Sequence, residues 1–279
     1  MSNSHSERSL APLDPHKPIS LALGAGGIRG MAHVGVLEVL AERGFQISEM
    51  VGTSVGALIL TFYTAVGMDV PALRRFGASL TSRHLLAWAW LRRAPDFMRR
   101  RFLHRAGVIP ESLDRLSAAS GELLYHGVER IGMVAYDLIA REEVFFHNLQ
   151  SGFPLADATR GAAAIPHVYP PRDCLMSGRH MRLIDGGVTN LLPVEYLFTA
   201  PFRPQQVLAV DVSNRERQRR ANLAKIEALR RAHPDTLIRV VQPETLGRGT
   251  LLFRRAEVRT LIDMGHRAAA ALFTDPRLL

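Results

Sequence analysis

The chain is expected to fold as an α/β protein, a three-layer sandwich with a mostly parallel central sheet and helices on both faces. Three observations lead there. Short apolar runs alternate with segments of helical periodicity along nearly the whole chain. Glycine-rich turns stand where several of those runs end. And 279 residues with 47% hydrophobic content suffice to bury one substantial core.

The elements follow in order. Ile19–Leu23 reads as the first strand and runs into a glycine-rich loop, Gly24 to Gly30. Met31, Val34, Leu37, Val39 and Leu40 mark a helix over Met31–Glu42, stopped at Gly44. Glu49–Gly52 is a second strand, Val55–Ala65 a helix ending at Gly67, and helical segments continue from about Pro71 to Ser120. Strand-like runs return at Arg130–Tyr136 and Glu143–His147, and Asp157–Ala164 reads as a short helix before Pro166. Met181–Ile184, Gln206–Val212 and Thr236–Val241 are further strands; helices fill about Arg217–Arg231 and Arg255–Phe273. Residues 1–17 are polar, carry Pro12 and Pro15, and are expected to be a disordered tail, with one domain over 18–279. No internal repeat or low-complexity segment stands out.

Composition narrows the function classes. The net charge is +9 and almost entirely arginine, since Lys17 and Lys225 are the only lysines. The excess clusters between Arg83 and Arg105, where seven arginines face one acid, Asp96, beside Trp88 and Trp90. Arginine and tryptophan on an apolar face suit peripheral contact with an anionic membrane through 83–105. The alternative is a helical cap or lid that packs its apolar side inward and solvates its arginines. A second basic run, Arg215 to Arg231, is diluted by Glu216 and Glu227 and reads as a solvated helix face. No nucleic-acid-binding motif accompanies the charge, so no nucleic-acid partner is expected. No apolar run reaches the roughly eighteen residues of a membrane span, and no signal-peptide pattern is present. A single cysteine, Cys174, excludes an internal disulfide and reads as an apolar filler in a reducing compartment. A cytoplasmic location, with peripheral membrane contact, is the expectation.

Three motifs carry chemistry. Gly52-Thr53-Ser54-Val55-Gly56 has the G-x-S-x-G spacing, apolar residues before it and a helical run after it. Such a strand-to-helix turn exposes a serine, and Gly52 and Gly56 keep side chains out of the crowded elbow. Gly24 to Gly30 is a loop whose backbone N–H groups converge ahead of a helix and can hold negative charge, in a serine hydrolase the oxyanion of the tetrahedral intermediate. Asp185-Gly186-Gly187 places a carboxylate at the end of an apolar strand. All three would lie at strand ends, where α/β sheets put their sites.

Gly26-Gly27-Ile28-Arg29-Gly30, Gly52-Thr53-Ser54-Val55-Gly56 and Asp185-Gly186-Gly187, in that order, resemble the patatin-like phospholipases. Ala32-His33-Val34-Gly35-Val36-Leu37 and Ala162-Ala163-Ala164-Ile165-Pro166 are similar to neighbouring family segments, and the resemblance covers roughly residues 18 to 275. Ala25 departs from the family's usual glycine, which matters only if that residue needs a positive φ. The resemblance implies a Ser–Asp dyad, with Ser54 as nucleophile and Asp185 as base. It implies an oxyanion hole from the N–H groups of Gly26, Gly27 and Ile28, with Arg29 holding the loop. It implies a phospholipid, lysophospholipid or other fatty-acyl ester as substrate, and neither metal nor cofactor.

Rival readings exist for the same residues. Gly24-Ala25-Gly26-Gly27 after a strand suggests a dinucleotide fingerprint, but Arg29 stands where its third glycine belongs. A Ser–His–Asp triad would need a histidine after Asp185, and His233 and His266 are the candidates. His33 reads as structural. Asp137 and Asp211 also end apolar runs and are alternative acids or turn caps. A lipid-binding or regulatory protein that keeps the fold without turnover is the non-enzymatic alternative.

Overall fold

The computed structural model describes residues 12–79, 81, 119 and 122–273. The Arg83–Arg105 segment, expected as a lid or membrane contact, lies outside the described residues, as do residues 1–11. Among the described residues eight strands form one sheet: β1 (Ile19–Leu23), β2 (Ile47–Thr53), β3 (Arg130–Asp137), β4 (Glu142–His147), β5 (Arg172–Met176), β6 (Arg179–Asp185), β7 (Gln206–Val210) and β8 (Leu237–Val241). The helices are α1 (Ala32–Glu42), α2 (Val55–Thr64), α3 (Val70–Ser79), α4 (Leu155–Ala162), α5 (Glu216–Ala232) and α6 (Arg255–Ala271).

The strand order is β5-β6-β3-β2-β1-β7-β8, with β4 also paired to β3. The five strands from β3 to β8 along this path are parallel. The β3–β4, β3–β6 and β5–β6 pairs are antiparallel. From β1 the chain moves one way through α1 to β2; from β7 it moves the other way through α5 to β8. Right-handed crossovers in opposite directions place helices on opposite faces, which makes the three layers. Burial follows the two-residue period: Ile19, Leu21 and Leu23 of β1 enter the core shared with α1, α2 and α6, while Ala22 enters the core beneath Ile226 of α5.

Several boundaries differ from the sequence expectation. Strand β5 was not anticipated; its exposed, polar pattern with Cys174 inside reflects an edge strand, which carries a weaker apolar signal. A 3-10 turn over Gly27–Met31 precedes α1, so the helix proper begins at Ala32. Residues 12–17 pack on the domain: Leu13 is buried, Asp14 N–H donates to Gln206 Oε1 at 2.9 Å, and Gln206 Nε2 donates to the Asp14 and Lys17 carbonyls. No helix among the described residues is long and apolar enough to cross a membrane.

Helices α1 and α6 approach closely through two glycines. A Cβ on Gly35 would lie 2.5 Å from the His266 nitrogen and strike the Ile262 carbonyl, and one on Gly265 would strike the Ala32 carbonyl. Gly35→Ala and Gly265→Ala are each expected to lower the unfolding free energy by about 1–3 kcal/mol, read from urea melts, because neither backbone can retreat from the added methyl.

Candidate active site

The sheet register brings the three sequence motifs together. Gly132 to Asp137 of β3 pair with β4 along one edge. The opposite edge is divided: residues up to Val134 pair with β2, whose last partner is Thr53, and Ala135 pairs with Asp185 of β6. The parallel strand β2 and the antiparallel strand β6 therefore meet end to end, which sets Ser54, the next residue after β2, against Asp185. One turn steadies both backbones, since Ser54 N–H donates to the Ala162 carbonyl at 3.1 Å and Asp185 N–H to Ala164 at 3.0 Å.

Ser54 Oγ donates to Asp185 Oδ2 at 2.5 Å, and each residue is only 5% exposed. Asp185 Oδ1 accepts from Gly187 N–H at 2.7 Å. Burial pushes the Asp185 carboxyl up to about 6, against the opposing hydrogen bonds from Ser54 and Gly187. Ser54 has φ 56° and ψ −122°, a conformation that side-chain-bearing residues rarely adopt. The elbow is tight. A Cβ on Gly52 would lie 2.6 Å from the Gly56 carbonyl carbon, and one on Gly56 would strike the Leu23 carbonyl. Gly186 likewise presses on the Val134 carbonyl.

The glycine loop leaves β1 beside β7, where the direction of strand succession reverses. Ala25 N–H donates to the Leu191 carbonyl at 2.7 Å and Ile28 N–H to the Thr250 carbonyl at 3.0 Å. Between these anchors, the N–H groups of Gly26 and Gly27 have no acceptor among the described residues. This narrows the expected donor set: the Ile28 amide is committed to Thr250, and the Arg29 amide donates to the Gly26 carbonyl at 3.3 Å. Gly27 has φ +56°, which a glycine adopts without penalty, whereas Ala25 is not among the positive-φ residues and tolerates its methyl group.

Arg29 is buried, with Nε donating to the Val212 carbonyl at 3.0 Å and Nη1 to Thr250 Oγ1 at 2.8 Å. Burial lowers its pKa to about 10, with Asp211 opposing, so it stays charged at neutral pH. His33 Nε2 lies 2.8 Å from the Gly24 carbonyl, and burial pulls its pKa down to about 4, so the neutral ring donates to that oxygen. These two side chains, Thr250 and Leu191 support the loop; neither Thr250 nor Leu191 carried a signal in the sequence.

The rival candidates fall elsewhere. His233 stacks on Phe198 with ring centroids 4.2 Å apart, and His266 lies 3.2 Å from Glu42. Among the described residues no histidine bonds Ser54 or Asp185. Asp137 accepts from the Ile139 and Arg182 amides and from Arg179, while Asp211 accepts from the Ser213 amide and Gln242. Both tie turns together. Cys174 is buried, its thiol pushed up to about 11 chiefly by desolvation, which leaves little thiolate.

Residues 21–198, which contain all three motifs, match the family described as patatin-like phospholipase. This chain belongs to that family. An uncharacterized NTE family protein of Mycobacterium tuberculosis is 35% identical over 182 residues, covering 63% of this patatin-like chain and 44% of the relative. The match thus spans less than half the length of that relative. Lysophospholipase NTE1 of Coccidioides immitis is 44% identical over 59 residues, covering 21% of this chain and 4% of that protein. Human GIVD cytosolic phospholipase A2, in complex with methyl gamma-linolenyl fluorophosphonate, shares the fold with a TM-score of 0.56 at 12% identity. That likeness covers 96% of this chain and 60% of the human one.

Two stability effects follow from the geometry. Ser54→Gly is expected to be about 1–2 kcal/mol more stable than Ser54→Ala, because glycine releases the backbone penalty that alanine retains. The raised Asp185 pKa means that ionisation of this group opposes folding, and the loss develops as pH rises from about 4 to about 6. Asp185→Asn, which cannot ionise, is therefore expected to match wild type below pH 4 and to exceed it by about 3 kcal/mol above pH 7. Urea melts across that range check both the sign and the window.

Proposed function

We propose that this protein is a serine lipid acyl hydrolase that cleaves a carboxylic ester through an acyl-enzyme on Ser54, with Asp185 as its base. The observation that carries the reading is the 2.5 Å hydrogen bond from Ser54 Oγ to a buried carboxylate with a raised pKa. Membership of a phospholipase family supports a lipid substrate. The fluorophosphonate bound to the human structural relative suggests the probe chemistry.

The steps balance within these groups. Asp185 takes the Ser54 proton as Oγ attacks the ester carbonyl carbon. The Gly26 and Gly27 amides receive the negative oxygen of the tetrahedral intermediate. As the ester C–O bond breaks, Asp185 passes the proton to the departing alcohol and leaves an acyl-serine. Water then attacks, Asp185 takes its proton, and that proton returns to Ser54 as the fatty acid departs. A carboxylate near pKa 4 would be a weak partner for these transfers. One near 6 is still mostly ionised at pH 7 and a better base. We propose further that the arginine- and tryptophan-rich Arg83–Arg105 segment, which lies outside the described residues, meets anionic lipid.

The test is esterase and phospholipase assay of wild type, Ser54→Ala and Asp185→Asn, together with fluorophosphonate labelling. Wild type should be labelled and should hydrolyse lysophospholipid, phospholipid or short p-nitrophenyl esters, with kcat/KM rising through about pH 6 as Asp185 ionises. Each variant should lose about a thousandfold or more, and the double variant little beyond either single one, because the two residues act as a unit. Ser54→Ala with full activity would overturn Ser54 as the nucleophile, and wild type that binds lipid without turnover would reverse the reading in favour of a lipid-binding protein.

A further inference from the structure

We infer that the loop after β8, acting through Thr250, is the clamp that aims the Gly26 and Gly27 amides, which makes Thr250 a positioning residue for the reaction proposed above. The clamp lies outside the family-matched stretch of residues 21–198. It rests on the Ser54 reading and adds to it a residue on a remote segment.

The geometry is that of a short bridge held at both ends. Amide 25 is fixed by Leu191 and amide 28 by Thr250, and between them hang the Gly26 and Gly27 N–H groups, which have no acceptor among the described residues. Thr250 holds its end in three ways. Its carbonyl accepts from Ile28 N–H at 3.0 Å. Its Oγ1 accepts from Arg29 Nη1 at 2.8 Å. Its side chain lies so near Gly27 that a Cβ there would come 2.6 Å from Thr250 Cγ2 and strike the carbonyl. Arg29 extends the hold by donating to the Gly249 carbonyl at 3.2 Å and to the Arg248 carbonyl at 3.4 Å.

The clamp is itself braced. Thr245 Oγ1 donates to the Ser213 carbonyl at 2.9 Å, and Asn214 Nδ2 to the Arg248 carbonyl at 2.9 Å. Gly247 N–H donates to the Asn214 carbonyl at 3.0 Å, and Arg219 of α5 donates to Thr245 Oγ1 at 3.0 Å and to the Pro243 carbonyl. The segment that leaves β7 therefore supports the loop that leaves β8, which in turn presses on the loop that leaves β1. An oxyanion donor is effective only within a few tenths of an ångström of its aim. Among the described residues, the Thr250 hydroxyl is the one side-chain acceptor that fixes Arg29 against this loop.

The test compares wild type, Ser54→Ala, Thr250→Val and Thr250→Ser on a soluble p-nitrophenyl ester, with thermal melting alongside. Thr250→Val keeps the branched shape and the backbone carbonyl but removes the acceptor for Arg29. It should lower kcat about 10- to 100-fold while KM stays within about twofold and the melting temperature stays near wild type. Fluorophosphonate labelling should slow in parallel, since that adduct also places an oxygen in the donor site. Thr250→Ser restores the hydroxyl and should recover most of kcat. A Thr250→Val enzyme with kcat within twofold of an active wild type overturns the clamp and leaves the Ser54 reading standing. A fall in kcat that Thr250→Ser does not relieve, or one matched by loss of melting temperature in both variants, also overturns it as mere structural damage. Wild-type activity that Ser54→Ala fails to remove overturns the Ser54 reading, and the clamp with it.

Discussion

A β-strand has two edges, and the site depends on how β3 uses one of them. Beside it, β2 runs parallel as far as Thr53, and β6 runs antiparallel from the other direction to Asp185 opposite Ala135. Two strands sharing one edge must stop where they meet. The first residue beyond β2 is Ser54, and its only route onward is the sharp turn into α2. Ser54 and Asp185, 131 positions apart, thus become neighbours through backbone register before any side chain is considered. The glycines answer the crowding that results: Gly52 and Gly56 admit the elbow, and Gly186 lets the chain leave β6 against Val134.

Much of this was legible in the sequence. The motif residues Ser54, Asp185, Gly26, Gly27, Gly52 and Gly56 come together because each motif encodes a local need: an elbow without side chains, a left-handed glycine, a carboxylate at a strand end. The long parallel strands were legible as well, since strands buried on both faces read as continuous apolar runs such as Ile19–Leu23. What failed to show was non-local. The antiparallel β5 is half exposed, and its composition resembles a loop. Commitment of the Ile28 amide to Thr250 joins residues more than two hundred positions apart. A polar loop such as Glu244–Thr250 looks alike in sequence whether it braces a site or merely connects two elements.

The electrostatics of Asp185 illustrate a conflict between stability and chemistry. A carboxylate with free access to water would cost folding nothing, yet near pKa 4 it would hold a proton too weakly to assist serine. Burial raises its basicity and by the same amount penalises its charged form in the folded state. Two hydrogen bonds, from Ser54 and Gly187, restrain the shift, and the carboxyl rests at about 6. Ser54 carries a similar conflict in its backbone angles. Both strains are held by the neighbouring scaffold, in which Ala162 and Ala164 fix the two main chains from one turn.

That scaffold joins the reactive loops to one another rather than to separate supports. The chain after Asp185-Gly186-Gly187 anchors Ala25 through the Leu191 carbonyl, so the segment that carries Asp185 also holds one end of the glycine loop. This segment is fixed in turn by a polar cluster. Asn190 Nδ2 donates to Glu143 Oε1 and Glu195 Oε1, at 3.1 and 2.7 Å, and Tyr196 Oη donates to Glu143 Oε1 at 2.7 Å. Lys225 of α5 donates to Glu195 and to the Leu192 carbonyl at 3.0 Å. A hinge in any one loop would therefore disturb Asp185 and the Gly26 and Gly27 amides together. The reaction proposed above needs that coupling, because donors already aimed at the developing charge need not reorganise during the reaction. The arginine-rich face of α5 looks outward to solvent, but its Lys225 and Arg219 turn toward the loops after β6 and β8, and through them one helix braces both ends of the same bridge.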